Sequence, residues 1–288
     1  MDTAASYAFC EQVARKQAKN FYLTFLLLSA PQRKAMCAIY AFMRYCDDLS
    51  DGDVVDGQRV TDRRAAIGKW SADLEQVLAG RLPEHPVWPA FADAIQQYDI
   101  PHQYFRDMIA GVSSDLEPRT VQTFDELYRY CYQVASVVGL TIVHVFGFAD
   151  LAQKPEALKL AEKCGIAFQL TNILRDVRED AGNQRIYLPS EDLVRFGVAG
   201  EDLLQTTMPA GLRNLMEFEA QRAQAYYAES APMIQMVHPQ SRGCLRALIG
   251  IYSRLLDKIE ASGYDVLSQR VRVPTAEKLW ILARSRFA

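Results

Sequence analysis

The sequence lacks the features that mark zinc proteins, secreted proteins and membrane-spanning proteins. Its six cysteines form no C-x-x-C pair and its four histidines show no ligand spacing, so we expect no zinc site. No apolar run approaches the roughly 20 residues of a membrane span. The first residues place acid before base without an apolar core, so we expect no signal peptide. These absences predict a cytoplasmic protein with reduced thiols.

Strand patterns, internal repeats and a flexible linker are also missing. The chain has 288 residues, of which 50% are hydrophobic and 23% charged, and this composition can supply a large core. We therefore expect one all-α domain over residues 1–288, in which long helices pack around a central cavity. Because the formal net charge is -3, no general attraction to nucleic acid is expected.

Helical periodicity extends over nearly the whole chain. It is visible from residue 4 to residue 28, and Ser29, Ala30 and Pro31 then fit the start of a helix that ends near Asp51. Thr123 and Glu126 form a capping-box pattern ahead of one long apolar helix over 124–148. The remaining helices are predicted over 61–79, 88–98, 190–196, 210–230, 240–261 and 274–287, with others opening at Pro101 and Lys154. Loops are predicted at 52–57 and 183–189.

Two acidic stripes are the most informative feature of the chain. Asn172, Asp176 and Asp180 follow one another at four-residue steps and would share one helix face. Asp47 and Asp51 repeat this step near the end of a predicted helix, where negative charge opposes the macrodipole. Stacked like charges cost about a few tenths of a kcal/mol, and a hard cation such as Mg2+ removes that cost. The stripes predict a metal site assembled between helices.

Arginines accompany both stripes. Arg44 precedes Asp47, Arg175 adjoins Asp176, and Arg178 follows one turn later. One guanidinium group can bind two phosphate oxygens at once, and Mg2+ bound by carboxylates keeps coordination positions for phosphate. The pattern therefore predicts a metal-bound diphosphate. Each acid–base pair could instead be a solvated helix face. A calcium loop lacks its glycine-centred spacing here, and a di-iron bundle lacks its Glu-x-x-His pairs.

Aromatic residues near these motifs suit a long hydrocarbon ligand. Any one of them is most simply a core residue, but their number favours an apolar pocket whose ring faces can stabilise a cation. The set comprises Phe21, Tyr22, Tyr40, Tyr130, Tyr132, Phe168, Tyr187 and Tyr252. Of these, Phe21 and Tyr40 are interpreted as substrate-binding residues.

Three segments resemble the squalene/phytoene synthase family. Residues 38–51 resemble its first aspartate motif and read AIYAFMRYCDDLSD. Residues 169–180 with 183–189 resemble its second motif and flap, and read QLTNILRDVRED and NQRIYLP. Residues 130–139, YCYQVASVVG, are similar to its tyrosine segment, where glycine is commoner than Ser136. The resemblance extends from Lys19 to Arg270.

The resemblance implies an isoprenoid synthase fold and a role for each matching residue. Two identical prenyl diphosphates would be joined head to head (1'-1) through a cyclopropylcarbinyl diphosphate. The implied Mg2+ ligands are Asp47, Asp48, Asp51, Asn172, Asp176 and Asp180. The implied substrate-binding residues are Arg44, Gln169, Arg175, Tyr187, Tyr252 and Arg270. Tyr130 would assist proton movement as diphosphate leaves, and would be catalytic together with Asp47, Asp51, Asp176 and Asp180.

Substrate length and product are left open by the sequence. We expect two farnesyl diphosphates to give squalene or a presqualene or dehydrosqualene relative; the alternative is phytoene from two geranylgeranyl diphosphates. NADPH is left open as a hydride donor. A head-to-tail elongase would repeat Asp-Asp-x-x-Asp in the second motif, and a non-catalytic assembly protein of this family would typically lose its aspartates. A hydrocarbon product also predicts transient, peripheral membrane contact.

Overall fold

The computed structural model describes residues 1–52, 54–55 and 57–287, and it is built almost entirely from α-helices. The helices are α1 (Thr3–Gln17), α2 (Lys19–Phe25), α3 (Ala30–Asp51), α4 (Arg63–Leu78), α5 (Trp88–Gln97), α6 (Gln103–Ser114), α7 (Phe124–Cys131), α8 (Val137–Phe146), α9 (Lys154–Gly182), α10 (Ser190–Arg195), α11 (Ala210–Ser230), α12 (Met233–Met236), α13 (Arg242–Ala261) and α14 (Thr275–Phe287). The all-α prediction is confirmed. No helix among the described residues is both long enough and apolar enough to cross a bilayer.

Two pairs of very short strands lie beside or within the predicted loops. The strands are β1 (Val54–Val55), β2 (Gln58–Arg59), β3 (Arg119–Thr120) and β4 (Arg185–Ile186). β1 and β2 pair antiparallel, whereas β3 and β4 pair in parallel with Arg119 opposite Arg185. Two residues are too few to show the alternation that identifies a strand in a sequence. Within the predicted loop at 52–57, Asp53 and Asp56 lie outside the described residues.

The helices pack into two adjoining cores. One surrounds α3, where the Phe42 ring stacks on Phe91 with centroids 4.4 Å apart and neither side chain is exposed. The other lies between α9, α11 and α13, and Tyr132 packs against both cores. Burying a phenylalanine side chain contributes about 2 kcal/mol, so the aromatic cluster fixes α3 firmly against its neighbours. This anchoring holds the acidic end of α3 in place.

A π-helical segment interrupts the helix predicted over 124–148. Residues Tyr132–Ser136 form this segment between α7 and α8, so the prediction of one continuous helix is wrong. Two glycines from neighbouring helices contact it: a Cβ on Gly111 would lie 2.8 Å from Val134 Cγ1, and one on Gly165 would lie 2.4 Å from the Ser136 Cα. The wide turn brings backbone close to α6 and α9, which only residues without a side chain permit. Apolar periodicity alone does not distinguish α from π geometry.

The apolar stretch from residue 4 to residue 28 is likewise divided. Ala18 separates α1 from α2 with φ -87° and ψ 32°, which is not helical. The apolar spacing continues across this residue because both helices pack against α3. The break redirects α2, and Phe21 and Phe25 then line a central cavity.

Two acidic side chains, Glu219 and Asp192, share one arginine, Arg222, at the buried face of α11. Glu219 is 1% exposed and its Oε2 has no hydrogen-bond partner, while Arg222 Nη1 donates to its Oε1 at 2.7 Å. Arg222 Nη1 also donates to Asp192 Oδ2, at 3.2 Å. Burial, with repulsion from Asp192, raises the pKa of Glu219 to about 7. The Arg222 guanidinium compensates only part of the negative charge on the two carboxyl groups.

We expect Glu219→Gln to stabilise the protein above pH 7. The folded-state pKa of about 7 exceeds the unfolded value of 4.5, so the folded state holds the extra proton between these pH values and stability falls as pH rises through them. The amide removes this loss, a gain of about 2 kcal/mol at pH 8 that shrinks toward pH 5. Thermal melts at both pH values test this, with exposed Glu217→Gln on the same helix as control. A gain independent of pH contradicts the assignment.

Candidate active site

The two acidic stripes line the same cavity. It has a volume of about 400 Å³, and its walls include Asp47, Asp51, Asn172, Asp176 and Asp180. Gly52 ends α3 in the left-handed conformation with φ 74°, which leaves Asp51 as the last helical residue. The acids of α9 also lie in its last turns. The negative ends of two helix macrodipoles therefore meet the carboxylates, and the site attracts cations.

The carboxyl groups carry more negative charge than the surrounding protein neutralises. Burial raises the pKa of Asp47 to about 7, against the lowering effect of Arg44. Burial, with repulsion from Asp176 and Glu179, raises the pKa of Asp180 to about 8. Desolvation and like charge both disfavour the ionised forms. A cation placed between these residues would reverse both effects.

An unsatisfied amide oxygen adds to this donor set. Asn172 Oδ1 is buried without a hydrogen-bond partner, while its Nδ2 donates to Gln169 Oε1 at 3.3 Å. Both residues line the cavity. Carboxylate and amide oxygens are the ligands that Mg2+ prefers, so these residues fit a divalent cation. Among the described residues, however, no three acidic, histidine or cysteine side chains are already gathered tightly enough to enclose an ion.

Asp48 differs from the other predicted metal ligands. It is 7% exposed, it does not line the cavity, and it forms an ion pair with Arg44 one turn earlier. Arg44 itself lines the cavity, as does Tyr40. Asp48 is thus placed to hold the guanidinium of Arg44, and in this conformation it does not face the other acids.

Arg175 and Arg270 line a second cavity, of about 730 Å³, that adjoins the first. The two cavities share Phe21, Leu248 and Tyr252 as a common wall. Both arginines reach Asp176 at the boundary: Arg175 Nε donates to Oδ1 at 2.8 Å, and Arg270 Nη2 lies 3.0 Å from the same oxygen. Of the two α9 acids that line the first cavity, Asp176 is therefore the one that forms ion pairs with arginines among the described residues.

Two tyrosines and an aspartate form a buried triad at the acidic end. The hydroxyls of Tyr130 and Tyr187 each donate to Asp115, at 2.8 Å, and their oxygens are 3.0 Å apart. The rings stack with centroids 4.7 Å apart. Burial raises the pKa of Asp115, and burial beside Asp115 holds the pKa of Tyr130 well above its ordinary value. Tyr130 is therefore a protonated hydrogen-bond donor at neutral pH.

Asp115 and Arg185 are the site residues that sequence reasoning missed. Arg185 Nη2 donates to the Asp115 carbonyl at 2.9 Å, and its Nη1 lies 3.4 Å from Asp51 Oδ1. Arg119, opposite Arg185 in the strand pair, places its guanidinium 4.7 Å from the Tyr130 ring centroid. Asp115 is a single acid without a spacing pattern, so no sequence signal identified it. Arg185 stood inside the quoted flap segment and could have been selected there.

The other end of the cavity is apolar. Phe168 stacks on Tyr252 with centroids 4.1 Å apart, and Phe21 lies 5.8 Å from the same ring. The remaining apolar lining comes from several helices and includes Phe25, Met36, Ile39, Met108, Val138, Ile142, Met233 and Leu245. A cavity charged at one end and apolar along the rest matches a diphosphate attached to a hydrocarbon chain.

A family model described as squalene/phytoene synthase matches residues 14–277. The chain belongs to the squalene/phytoene synthase family. The family interpretation of the three motifs is therefore confirmed. Family membership makes this chain a prenyltransferase, and head-to-head condensation of prenyl diphosphates is the reaction class that it supports. The non-catalytic alternative is set aside.

The relatives of this squalene/phytoene synthase family member include proteins named as phytoene synthases. A phytoene synthase from Arthrospira platensis is 40% identical, with 96% of this chain and 91% of the relative aligned. A 15-cis-phytoene synthase from Synechocystis sp. is 38% identical, with 96% and 83% aligned. Among solved structures, a dehydrosqualene synthase complex is similar with a TM-score of 0.88 and 31% identity, covering 98% of this chain and 95% of that one. The two phytoene synthases, unlike the dehydrosqualene synthase, favour the phytoene alternative over the preferred squalene-type product.

Proposed function

We propose that this prenyltransferase condenses two geranylgeranyl diphosphates head to head to phytoene. The proposed reaction class is supported by one cavity that both acidic stripes line and that is otherwise apolar. Such a cavity matches a metal-bound diphosphate attached to a buried hydrocarbon. The substrate length rests on the two phytoene synthases named above, which align over nearly the whole chain. The earlier preference for a C15 substrate is replaced accordingly.

Asp47, Asp51, Asn172, Asp176 and Asp180 would hold Mg2+, and Asp48 would act on this set only through Arg44. The unsatisfied Asn172 oxygen and the raised pKa values of Asp47 and Asp180 support this assignment. When bound, the metal supplies Lewis-acid stabilisation of charge on the departing diphosphate.

The remaining roles follow from where each side chain lies. Arg44 would hold one diphosphate in the acidic cavity, whereas Arg175 and Arg270 would hold diphosphate at the boundary with the second cavity. Tyr130 would donate a hydrogen bond to a departing oxygen, with its proton held in the triad by Asp115. Gln169 and Tyr187 line the same end. The apolar walls exclude water from the carbocation, and the Phe168 and Tyr252 ring faces can stabilise it.

Phytoene formation ends with loss of a proton from the last carbocation rather than with addition of a hydride. A reductant is therefore not needed for this product, and we propose that NADPH is not a cofactor. Squalene formation would require it, so the cofactor requirement distinguishes the two products. The proposed reaction releases two diphosphates for each C40 hydrocarbon, and two protons leave carbon: one as the cyclopropane ring forms and one as the last carbocation is quenched.

We expect purified protein with Mg2+ and geranylgeranyl diphosphate to yield a C40 hydrocarbon without NADPH. Farnesyl diphosphate, tested in parallel with and without NADPH, should give at least roughly tenfold less hydrocarbon, because a shorter chain fills less of the apolar cavity and each 1.4 kcal/mol lost is a factor of ten. Products are identified by mass spectrometry. A C30 product made preferentially from farnesyl diphosphate would contradict the substrate assignment, and no hydrocarbon from either would contradict the reaction.

A further inference from the structure

Helix α14 leaves two large apolar side chains in solvent. Leu279 is 51% exposed and Trp280 is 60% exposed on successive positions. α14 packs against α2, whose C-cap residue Leu26 is 50% exposed. Other exposed large apolar side chains, such as Leu151, lie on separate short elements or loops. Adjacent exposed apolar residues on a packed helix mark an interaction site more strongly than scattered ones do.

Positive charge is concentrated around this apolar pair. Residues 270–286 contain five basic side chains and one acidic one, in a chain whose formal net charge is -3. The acid, Glu277, is already paired with Arg254 and Lys258 of α13. Arg284 lies over the Trp280 ring, 4.7 Å from its centroid. A tryptophan and a leucine flanked by basic groups match the interface of an anionic bilayer.

The second cavity opens beside the same helix. Its lining includes Pro274, Thr275 and Lys278 at the start of α14, and Leu23 of α2 one turn before Leu26. Because it shares a wall with the acidic cavity, the site lies close to the α14 surface. If the proposed function holds, prenyl substrates and a hydrocarbon product need an apolar phase at this surface.

We propose that α14 and the end of α2 form a docking surface for an anionic phospholipid bilayer. Leu279 and Trp280 enter the headgroup region, and Arg272 and Arg284 meet lipid phosphates. The location rests on exposure and charge alone; its purpose, exchange of hydrocarbon ligands with the membrane, rests on the proposed function.

Tryptophan fluorescence reports this docking directly. The chain has three tryptophans, and Trp70 and Trp88 are 5% and 0% exposed, so a response to lipid comes from Trp280. With the full chain, vesicles containing phosphatidylglycerol should shift the emission to the blue, and brominated lipid should quench it. Vesicles of phosphatidylcholine alone, or raised salt, should weaken binding about tenfold or more, since each basic group near an anionic surface adds attraction.

The decisive variant is Leu279→Ser/Trp280→Ser, followed by vesicle sedimentation. We expect binding to phosphatidylglycerol vesicles to fall about tenfold or more, because the apolar insertion is lost, while Leu151→Ser, an exposed apolar control elsewhere, leaves it unchanged. Diphosphate release in detergent solution should be retained by both variants, which separates docking from turnover. Unchanged sedimentation of the double variant, or no binding by the wild type, would overturn the proposal. So would conversion of a dimer to a monomer with vesicle binding intact, since the surface would then join two copies.

Discussion

Asp180→Asn is expected to reduce turnover by roughly 10³-fold while making the metal-free protein more stable. The carboxylate is one of the proposed Mg2+ ligands, and charge stabilisation by a metal is worth several kcal/mol in the transition state, at about 1.4 kcal/mol for each factor of ten. Without metal the ionised carboxylate destabilises the folded protein, because burial and repulsion from Asp176 raise its pKa to about 8. Activity and stability should therefore change in opposite directions.

The pH dependence makes this prediction specific. The folded-state pKa of Asp180 lies above the unfolded value of 3.8, so stability falls as pH rises between the two and the full cost is present above pH 8. In chelator, the Asn variant should exceed the wild type by at least about 2 kcal/mol, or about 4 °C or more in melting temperature, at pH 8 and by less at pH 5. Glu156→Gln, an exposed acid in the first turn of α9, is the matched control. Normal phytoene formation by Asp180→Asn would remove Asp180 from the metal site.

Asp115→Asn is expected to reduce turnover by about 10²- to 10⁴-fold, the range typical of losing a positioned proton-transfer group. Asp115 accepts hydrogen bonds from Tyr130 and Tyr187, both at 2.8 Å, and an amide offers only one acceptor oxygen. Either Tyr130 or Tyr187 then loses its hydrogen-bond acceptor, and the position of both hydroxyl groups changes. Tyr130→Phe should cause a loss of similar size, measured as diphosphate release under saturating substrate.

The double variant tests whether the triad acts as a unit. Asp115→Asn with Tyr130→Phe should be little slower than either single variant, because residues in one hydrogen-bond network are not additive. Tyr128→Phe is the control: it lies on the same helix, α7, and its hydroxyl donates to Glu162 at 2.6 Å, outside the triad. Multiplicative losses in the double variant would show independent roles, and a fully active Asp115→Asn would exclude Asp115 from catalysis.

The acidic half of the site was predictable because spacing encodes it. Asn172, Asp176 and Asp180 share a face on any α-helix, and the cap at Gly52 places Asp51 at the end of α3 in the structure as in the pattern. The same local rules gave the bounds of most helices to within a few residues. Their catalytic roles stay predictions, which the variants above test.

The features that depend on contacts between distant segments were not predictable from spacing. Asp115 meets Tyr187 across 72 positions, and the β3–β4 pair joins Arg119 to Arg185. The π segment depends on Gly111 and Gly165, which lie on two other helices. Asp48 lies away from the cavity because it is paired with Arg44 and buried by packing around α3. Each of these is decided by tertiary packing, which a single sequence does not display.

Helices α3 and α9 both run from an apolar to an acidic part of the cavity, Met36 to Asp51 on one and Ala161 to Asp180 on the other. Recognition of the diphosphate and accommodation of the hydrocarbon are thereby separated along the same two helices. A substitution near the apolar end can change the length of the accepted chain without moving a single charged group. This division of labour lets one scaffold diversify its products while its chemistry stays constant, and it makes the apolar end of the cavity the place to redirect the enzyme by design.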